Sequence, residues 1–234
     1  MANNRKIILT ADGSSSVFDE NFNNHFHSTF GAVQESQHVY INSGLHHRNL
    51  LNQQNINVLE VGFGSGLNVL MTYLAAQEEQ KNIFMQTIEL YPLVKEEYTQ
   101  LNYAEVLPSP NVAQMMSQIH ECQWDTPCQL SENFTLLKSL LPAQEMLLPK
   151  NYFNLVYFDA FAPDIQPELW TENVFSRIYK SMHSGGVFVT YTCKGDVRRL
   201  LRSLGFYASK IPCIGGKREM LRAIKAKWDI VYKE

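Results

Sequence analysis

Residues 58–68 read Val-Leu-Glu-Val-Gly-Phe-Gly-Ser-Gly-Leu-Asn. An apolar run ends in three glycines at alternate positions, and apolar residues at helical spacing follow at Leu67, Leu70, Met71 and Leu74. Glycine lets the backbone turn sharply and approach a ligand closely. A strand that feeds a helix through such a loop is the opening unit of an α/β sheet. From residue 56 onward the two patterns alternate. Strands are predicted at 56–61, 83–90, 134–138, 152–158 and 187–192, with two closing strands at 206–211 and 219–224 around the turn Gly215-Gly216. Helices are predicted at 67–80, from Pro92 onward, at 170–183 with a stop at Gly185-Gly186, and at 197–204. The expected fold is therefore a Rossmann-like α/β domain over 56–234, with a mostly parallel seven-stranded sheet. Residues 105–133, which carry Pro108, Pro110 and Pro127, read as an insertion. Residues 1–55, rich in Asn, Ser and His, read as short strands and loops packed on the same domain.

The remaining composition narrows the setting. The chain of 234 residues is 45% hydrophobic, enough for one domain with a proper core. No apolar run approaches the roughly 20 residues that span a bilayer, and Ile7-Ile8-Leu9 is too short for a signal peptide. A cytoplasmic location is expected. Cys122, Cys128, Cys193 and Cys213 form no CxxC pair. They are expected to be reduced and incidental, the alternative being a metal-site edge of Cys122 and Cys128 with His120; no metal is expected. Net charge is −3, yet ten of the 20 basic residues lie between Lys194 and Lys227, opposed there only by Asp196 and Glu219. Such a cluster is either a footprint for phosphate or a solvated face.

In a parallel sheet, ligands bind beyond the C-terminal ends of the strands, and three acidic residues stand at such ends. Glu60 precedes the glycine loop, whose spacing is GxGxG rather than the GxGxxG of dinucleotide sites. A carboxylate there repels a pyrophosphate but suits a cofactor carrying an amine and a sulfonium. That cofactor is S-adenosylmethionine. Glu89 ends the next strand, placed to accept hydrogen bonds from ribose hydroxyls. Asp159 ends a third, before Ala160-Phe161-Ala162-Pro163. It can orient an amine acceptor or take its proton, with Phe161 and Pro163 as an apolar wall for a flat base. The alternative is that Asp159 caps the next element. No acid follows the strand in 134–142, so backbone groups or Ser139 are expected to meet the adenine.

Together, Glu60-Val61-Gly62-Phe63-Gly64-Ser65-Gly66-Leu67-Asn68, Glu89-Leu90-Tyr91-Pro92-Leu93, Asp159-Ala160-Phe161-Ala162-Pro163 with Trp170, and Gly216-Lys217-Arg218-Glu219-Met220 resemble the MnmC-type tRNA methyltransferase domain. Phe26-His27-Ser28, Gly31-Ala32 and Glu35-Ser36-Gln37-His38-Val39 are similar to that family's N-terminal segment. The resemblance covers nearly the whole chain. It implies methylation of the 5-aminomethyl group of 2-thiouridine at the tRNA wobble position, with tRNA as partner and a separate enzyme supplying the aminomethyl base. Relatives fuse this domain to an FAD-dependent oxidase. No FAD-type fingerprint occurs here, so methyl transfer alone is expected.

Carried over by position, the cofactor set is Glu60, Gly62, Phe63, Gly64, Gly66, Asn68, Glu89, Leu90, Asp159 and Phe161. Asp159 is the catalytic candidate. His27, Ser28, Glu35, Phe161, Pro163, Lys217 and Arg218 are the substrate-binding candidates, the last two on the basic hairpin. His27 reads more readily as a structural histidine in a His-rich segment than as a catalytic one. Rival readings are a small-molecule N-methyltransferase or aminopropyltransferase, a nicotinamide-dependent oxidoreductase, and a non-catalytic RNA-binding platform.

Overall fold

A computed structural model describes residues 4–213 and 219–226. Two strands dictate its centre. β4 (Asn55–Val61) and β8 (Phe153–Phe158) are buried at nearly every position, as a strand covered on both faces must be. Their alternate side chains enter two separate cores. Val58, Leu155 and Tyr157 pack on one face, with Leu67, Leu70 and Met71. Leu59, Val61, Val156 and Phe158 pack on the other, with Val174, Phe175, Ile178 and Leu201.

Around this pair, β5 (Asn82–Glu89) and β7 (Phe134–Leu140) extend one side and β9 (Met182–Thr190) the other, all in parallel. β11 (Glu219–Lys225) runs antiparallel between β9 and β10 (Phe206–Pro212). β6 (Cys128–Ser131) pairs antiparallel with β7 at the opposite edge. The sheet order is β10-β11-β9-β8-β4-β5-β7-β6. Among the described residues it has eight strands rather than the seven expected, because the Pro-containing insertion contributes an edge strand of its own. The helices are α2 (Leu67–Glu79), the short α3 (Lys95–Tyr98) and α4 (Tyr103–Val106), α5 (Val112–Glu121), α6 (Glu172–Ser181) and α7 (Gly195–Ser203).

Residues 1–55 contain more than short strands and loops. β1 (Arg5–Leu9), β2 (Ser15–Asp19) and β3 (Asn24–His25) make a separate antiparallel sheet. The helix α1 (Ala32–Ser36) then runs on as a π-helix over Gln37–Leu45. That run is rich in Ser, Asn, His and β-branched residues, poor helix formers by propensity. It is held by packing: Val39, Tyr40, Ile41 and Leu45 belong to the core over β8 and β9.

Three other expectations are corrected. Gly185-Gly186 does not stop a helix. α6 ends at Ser181, and both glycines lie in β9 where its register with β8 shifts. A Cβ on Gly186 would stand 2.9 Å from the His183 carbonyl and 3.2 Å from that of Asn154. The helix after Pro92 is one turn, beginning at Lys95. Cys122 and Cys128 are not free thiols: they form a disulfide between the end of α5 and the start of β6, with Cα atoms 6.0 Å apart. Cys193 is a free thiol. Among the described residues, no helix is long and apolar enough to cross a membrane. The turn Gly215-Gly216, Lys217 and Arg218 lies outside the described residues.

Candidate active site

From β4 the chain passes through α2 to β5 on one flank, while β8 lies on the other, so a crevice opens at the C-terminal ends of these strands. It holds a cavity of about 350 Å³. The glycine loop forms its floor. Gly62, Gly64 and Gly66 all have positive φ (96°, 51° and 76°). At Gly62 the need is steric as well, since a Cβ there would stand 2.6 Å from the Asp159 carbonyl oxygen. The Gly62 N–H donates to Ile88 O at 3.0 Å and the Asp159 N–H to Val61 O at 2.8 Å. The ends of β4, β5 and β8 are thus joined directly beneath the cavity.

The three acidic residues take different environments. Glu60 lies behind the loop, 1% exposed, and does not line the cavity. Its Oε2 accepts from Thr87 Oγ1 at 2.6 Å, and Oε1 is buried without a hydrogen-bond partner. Burial pushes its pKa up to about 8 against the opposing Thr87 hydrogen bond, and the nearby Asp159 charge adds to the rise. Glu89 lines the cavity. One oxygen accepts from Gly64 N at 3.1 Å and the other from Leu90 N and Tyr91 N, both at 2.8 Å. A carboxylate offers about four lone-pair sites, so acceptor capacity remains toward the cavity. Asp159 also lines the cavity, its Oδ2 accepting from Asn68 Nδ2 at 2.8 Å. Asn68 is locked in turn, its Oδ1 accepting from Ser36 Oγ at 2.6 Å.

Gly62, Phe63, Gly64, Asn68, Glu89, Leu90, Asp159, Phe161 and His27 all line the one cavity. Gly66 sits at the start of α2 against Phe63 and His120. His27 is buried between two serines, with Nδ1 3.1 Å from Ser16 Oγ and Nε2 3.4 Å from Ser65 Oγ. Ser28, Glu35 and Pro163 are not among the lining residues. The Ser28 N–H donates to Glu35 Oε2 at 2.7 Å.

Sequence reasoning missed the wall contributed by the N-terminal sheet. Arg5, Asp19, Phe22 and Phe26 line the cavity. Phe161 packs against Phe22 and Phe26, with ring centroids 4.8 and 5.6 Å apart. Phe22 and Phe26, four apart in a polar stretch, were a usable signal; Arg5 offered none. It also missed Gln144, on a 3₁₀ turn beyond β7, whose Oε1 is buried at the cavity without a partner. Ser139 faces away, accepting from Gln86 Nε2 at 3.1 Å, and does not line the cavity.

Leaving a buried acceptor unsatisfied costs about 1–3 kcal/mol. Gln144 Oε1 is such an atom on the cavity wall, Glu60 Oε1 is another behind the glycine loop, and Glu89 keeps acceptor capacity toward the cavity. This pattern fits a guest that brings several hydrogen-bond donors and positive charge, as S-adenosylmethionine does.

Comparison with known proteins agrees. A family profile described as S-adenosyl-L-methionine-dependent methyltransferase matches residues 104–226. The tRNA 5-methylaminomethyl-2-thiouridine biosynthesis bifunctional protein MnmC of Cupriavidus metallidurans is 27% identical over 227 residues, covering 91% of this chain and 33% of that protein. Its counterpart in Idiomarina loihiensis is 29% identical over 215 residues, covering 86% and 35%. The chain thus spans about a third of the length of these relatives. The crystal structure of MnmC2 from Aquifex aeolicus superposes with a TM-score of 0.80 at 26% identity, covering 96% of this chain and 72% of that one. Spermidine synthase from Thermotoga maritima, at 10% identity and a TM-score of 0.54, shares the fold alone. The loop, the joined strand ends and the profile match converge, and the chain belongs to the S-adenosyl-L-methionine-dependent methyltransferase family.

Proposed function

We propose that this enzyme methylates a primary amine, the 5-aminomethyl group of 2-thiouridine at the tRNA wobble position, in the cytoplasm, on tRNA whose aminomethyl base a separate enzyme has prepared. Residues 1–55 act in this reading as an extension that completes the site of the domain at 56–234. When bound, the cofactor supplies a methyl group activated by its sulfonium. Glu60 and the glycine loop hold the amino-acid end, Glu89 the ribose and Gln144 the adenine amino group. Leu90 and Phe63 pack beside them.

The observation that carries the amine assignment is Asp159. It is an acid at the cavity wall, held by Asn68 and faced by the Phe22–Phe26–Phe161 wall. An amine attacks only as the neutral base, so its proton must be held away from the lone pair. Asp159 accepts a hydrogen bond from the amine, which turns the lone pair toward the methyl carbon. As the N–C bond forms and the S–C bond breaks, nitrogen becomes cationic and the carboxylate stabilises that charge and then takes the proton. The aromatic wall holds the flat base; Pro163 narrows its approach, while His27, Ser28 and Glu35 shape the rim. The name of the MnmC relatives, which specifies a methylaminomethyl product, supports this acceptor.

The test uses methyl-labelled cofactor and tRNA bearing 5-aminomethyl-2-thiouridine. Wild type should place the label on that nucleoside. Asp159→Asn should keep cofactor affinity and lose about 10²-fold or more in turnover. Label on free amines but not on the tRNA would instead support a small-molecule N-methyltransferase.

A further inference from the structure

The chain just beyond Asp159 is held by side chains rather than by a regular element. Ala160 O accepts from the Tyr191 hydroxyl at 3.0 Å. Phe161 O accepts from Trp170 Nε1 at 2.7 Å, and the Phe161 N–H donates to Gln166 Oε1 at 3.2 Å. The Trp170 ring is buried, its centroid 4.7 Å from that of Phe158 and 6.0 Å from that of Phe175. Gln166 is tied at its own backbone too. Its N–H donates to Ala162 O at 3.0 Å and its carbonyl accepts from Leu169 N at 3.1 Å. Phe161, which carries the aromatic wall, is thus presented in one position two residues beyond Asp159.

One group in this turn is left over. Gln166 lines the cavity. A backbone N–H is met only by the oxygen of a side-chain amide, so the Phe161 contact settles which way the Gln166 amide faces. The Nε2 amino group then offers two N–H donors. Among the described residues it has no hydrogen-bond partner, and it is not buried. Holding Phe161 needs an acceptor alone, which a glutamate would supply equally well. The amide adds donors beside Phe161, in the cavity that receives the substrate.

We propose that Gln166 determines which base is accepted, its Nε2 donating to the ring carbonyl next to the carbon that carries the aminomethyl group. This rests on the amine reading of the site. A uracil ring presents an acceptor at that position. A cytosine ring presents an amino group there, which sets donor against donor. Asp159 selects the amine, and Gln166 selects the ring that bears it.

The experiment offers the enzyme and methyl-labelled cofactor two anticodon stem-loop RNAs. They are alike except that the wobble base is 5-aminomethyl-2-thiouracil in one and 5-aminomethyl-2-thiocytosine in the other. Wild type should favour the uracil RNA by about 10²-fold or more in kcat/KM. Gln166→Glu keeps an acceptor for the Phe161 N–H and removes the donors, so melting temperature and cofactor affinity should hold. Its carboxylate opposes the uracil carbonyl and suits the cytosine amino group. The preference should therefore fall by about 10²-fold, mainly through loss on the uracil RNA. Should that variant fail to fold, Gln166→Met, which lacks donor and charge alike, should lose the preference as well. A residue that merely held the turn would lower both rates together, so an unchanged ratio in the variant overturns the proposal. Equal wild-type rates on the two RNAs overturn it too and leave the amine reading standing. No label on either RNA brings down the substrate reading and this inference with it.

Discussion

Glu60 shows how one buried carboxyl can tie cofactor binding to pH. Its ordinary value is 4.5, and burial behind the glycine loop raises it to about 8. A folded-state pKa above the unfolded one means that folding favours the protonated form. The resulting stabilisation is fully present below pH 4.5 and is lost as pH rises through about 8. The ligand-free wild type should therefore lose melting temperature relative to Glu60→Gln as pH rises across this window. Lys138 works in the opposite sense above it, because burial lowers its pKa to about 8 from 10.5, so its penalty is relieved as pH rises from there. A cation arriving beside Glu60 favours the carboxylate. Titration calorimetry at pH 7 in buffers of different ionisation enthalpy should show release of about one proton on cofactor binding in wild type, and much less in Glu60→Gln. The sequence pointed to Glu60 from its offset to the glycines; that it would be neutral before the cofactor arrives depends on burial that only the fold reveals. Gln144 was illegible for a related reason, since nothing in the residues around it marks the turn that brings its amide to the cavity.

Between elements, the decisive contact is that of the N-terminal sheet with the loop after β5. Arg5 donates to Asp19 Oδ2 at 2.8 Å, to Tyr91 O at 2.7 Å and to Pro92 O at 3.2 Å, with its side chain only 5% exposed. Its guanidinium also lies 5.6 Å from the centroid of the Phe26 ring. Arg5→Ala would leave Asp19 buried and unpaired, a change that typically costs about 3–5 kcal/mol. The melting temperature should fall, and cofactor affinity should fall with it, because the same residues wall the cavity. Arg5→Lys, with three rotatable donors in place of a planar fork, should recover only part of either. Affinity unchanged in a folded Arg5→Ala protein would show that the sheet does not complete the pocket. Periodicity was a good guide to elements whose environment is symmetrical, such as β4, β8 and α2. It failed at α1 and its π-helical extension, where polar and β-branched residues are held helical by the core beneath them, and at Gly185-Gly186, where a strand irregularity imitates a helix stop.

Across the whole molecule, charge is less one-sided than the sequence suggests. Of the basic residues between Lys194 and Lys227, Lys194 pairs with Asp164, Arg199 with Asp196 and Lys210 with Glu219. Lys225 is buried, donating to Met182 O at 2.7 Å beneath the Tyr179 ring. Much of the basic run thus serves the fold. If Lys217 and Arg218 contact tRNA phosphate, replacing both by Glu should weaken tRNA binding and flatten its salt dependence by about 1–2 in log–log slope, with cofactor affinity unchanged. An unaltered slope would remove them from the interface. The alternation of elements made the parallel sheet legible, while strand order and edges, which depend on contacts far apart in sequence, were not. One such contact governs assembly. β11, made after every other described strand, does not join at an edge but enters between β9 and β10. During synthesis β9 therefore keeps an open flank until residue 225 has emerged, and β10 waits without the strand it pairs with. A ribosome stalled before that point would hold a chain whose cofactor crevice is already encoded but whose sheet still presents an unpaired strand to any neighbouring polypeptide.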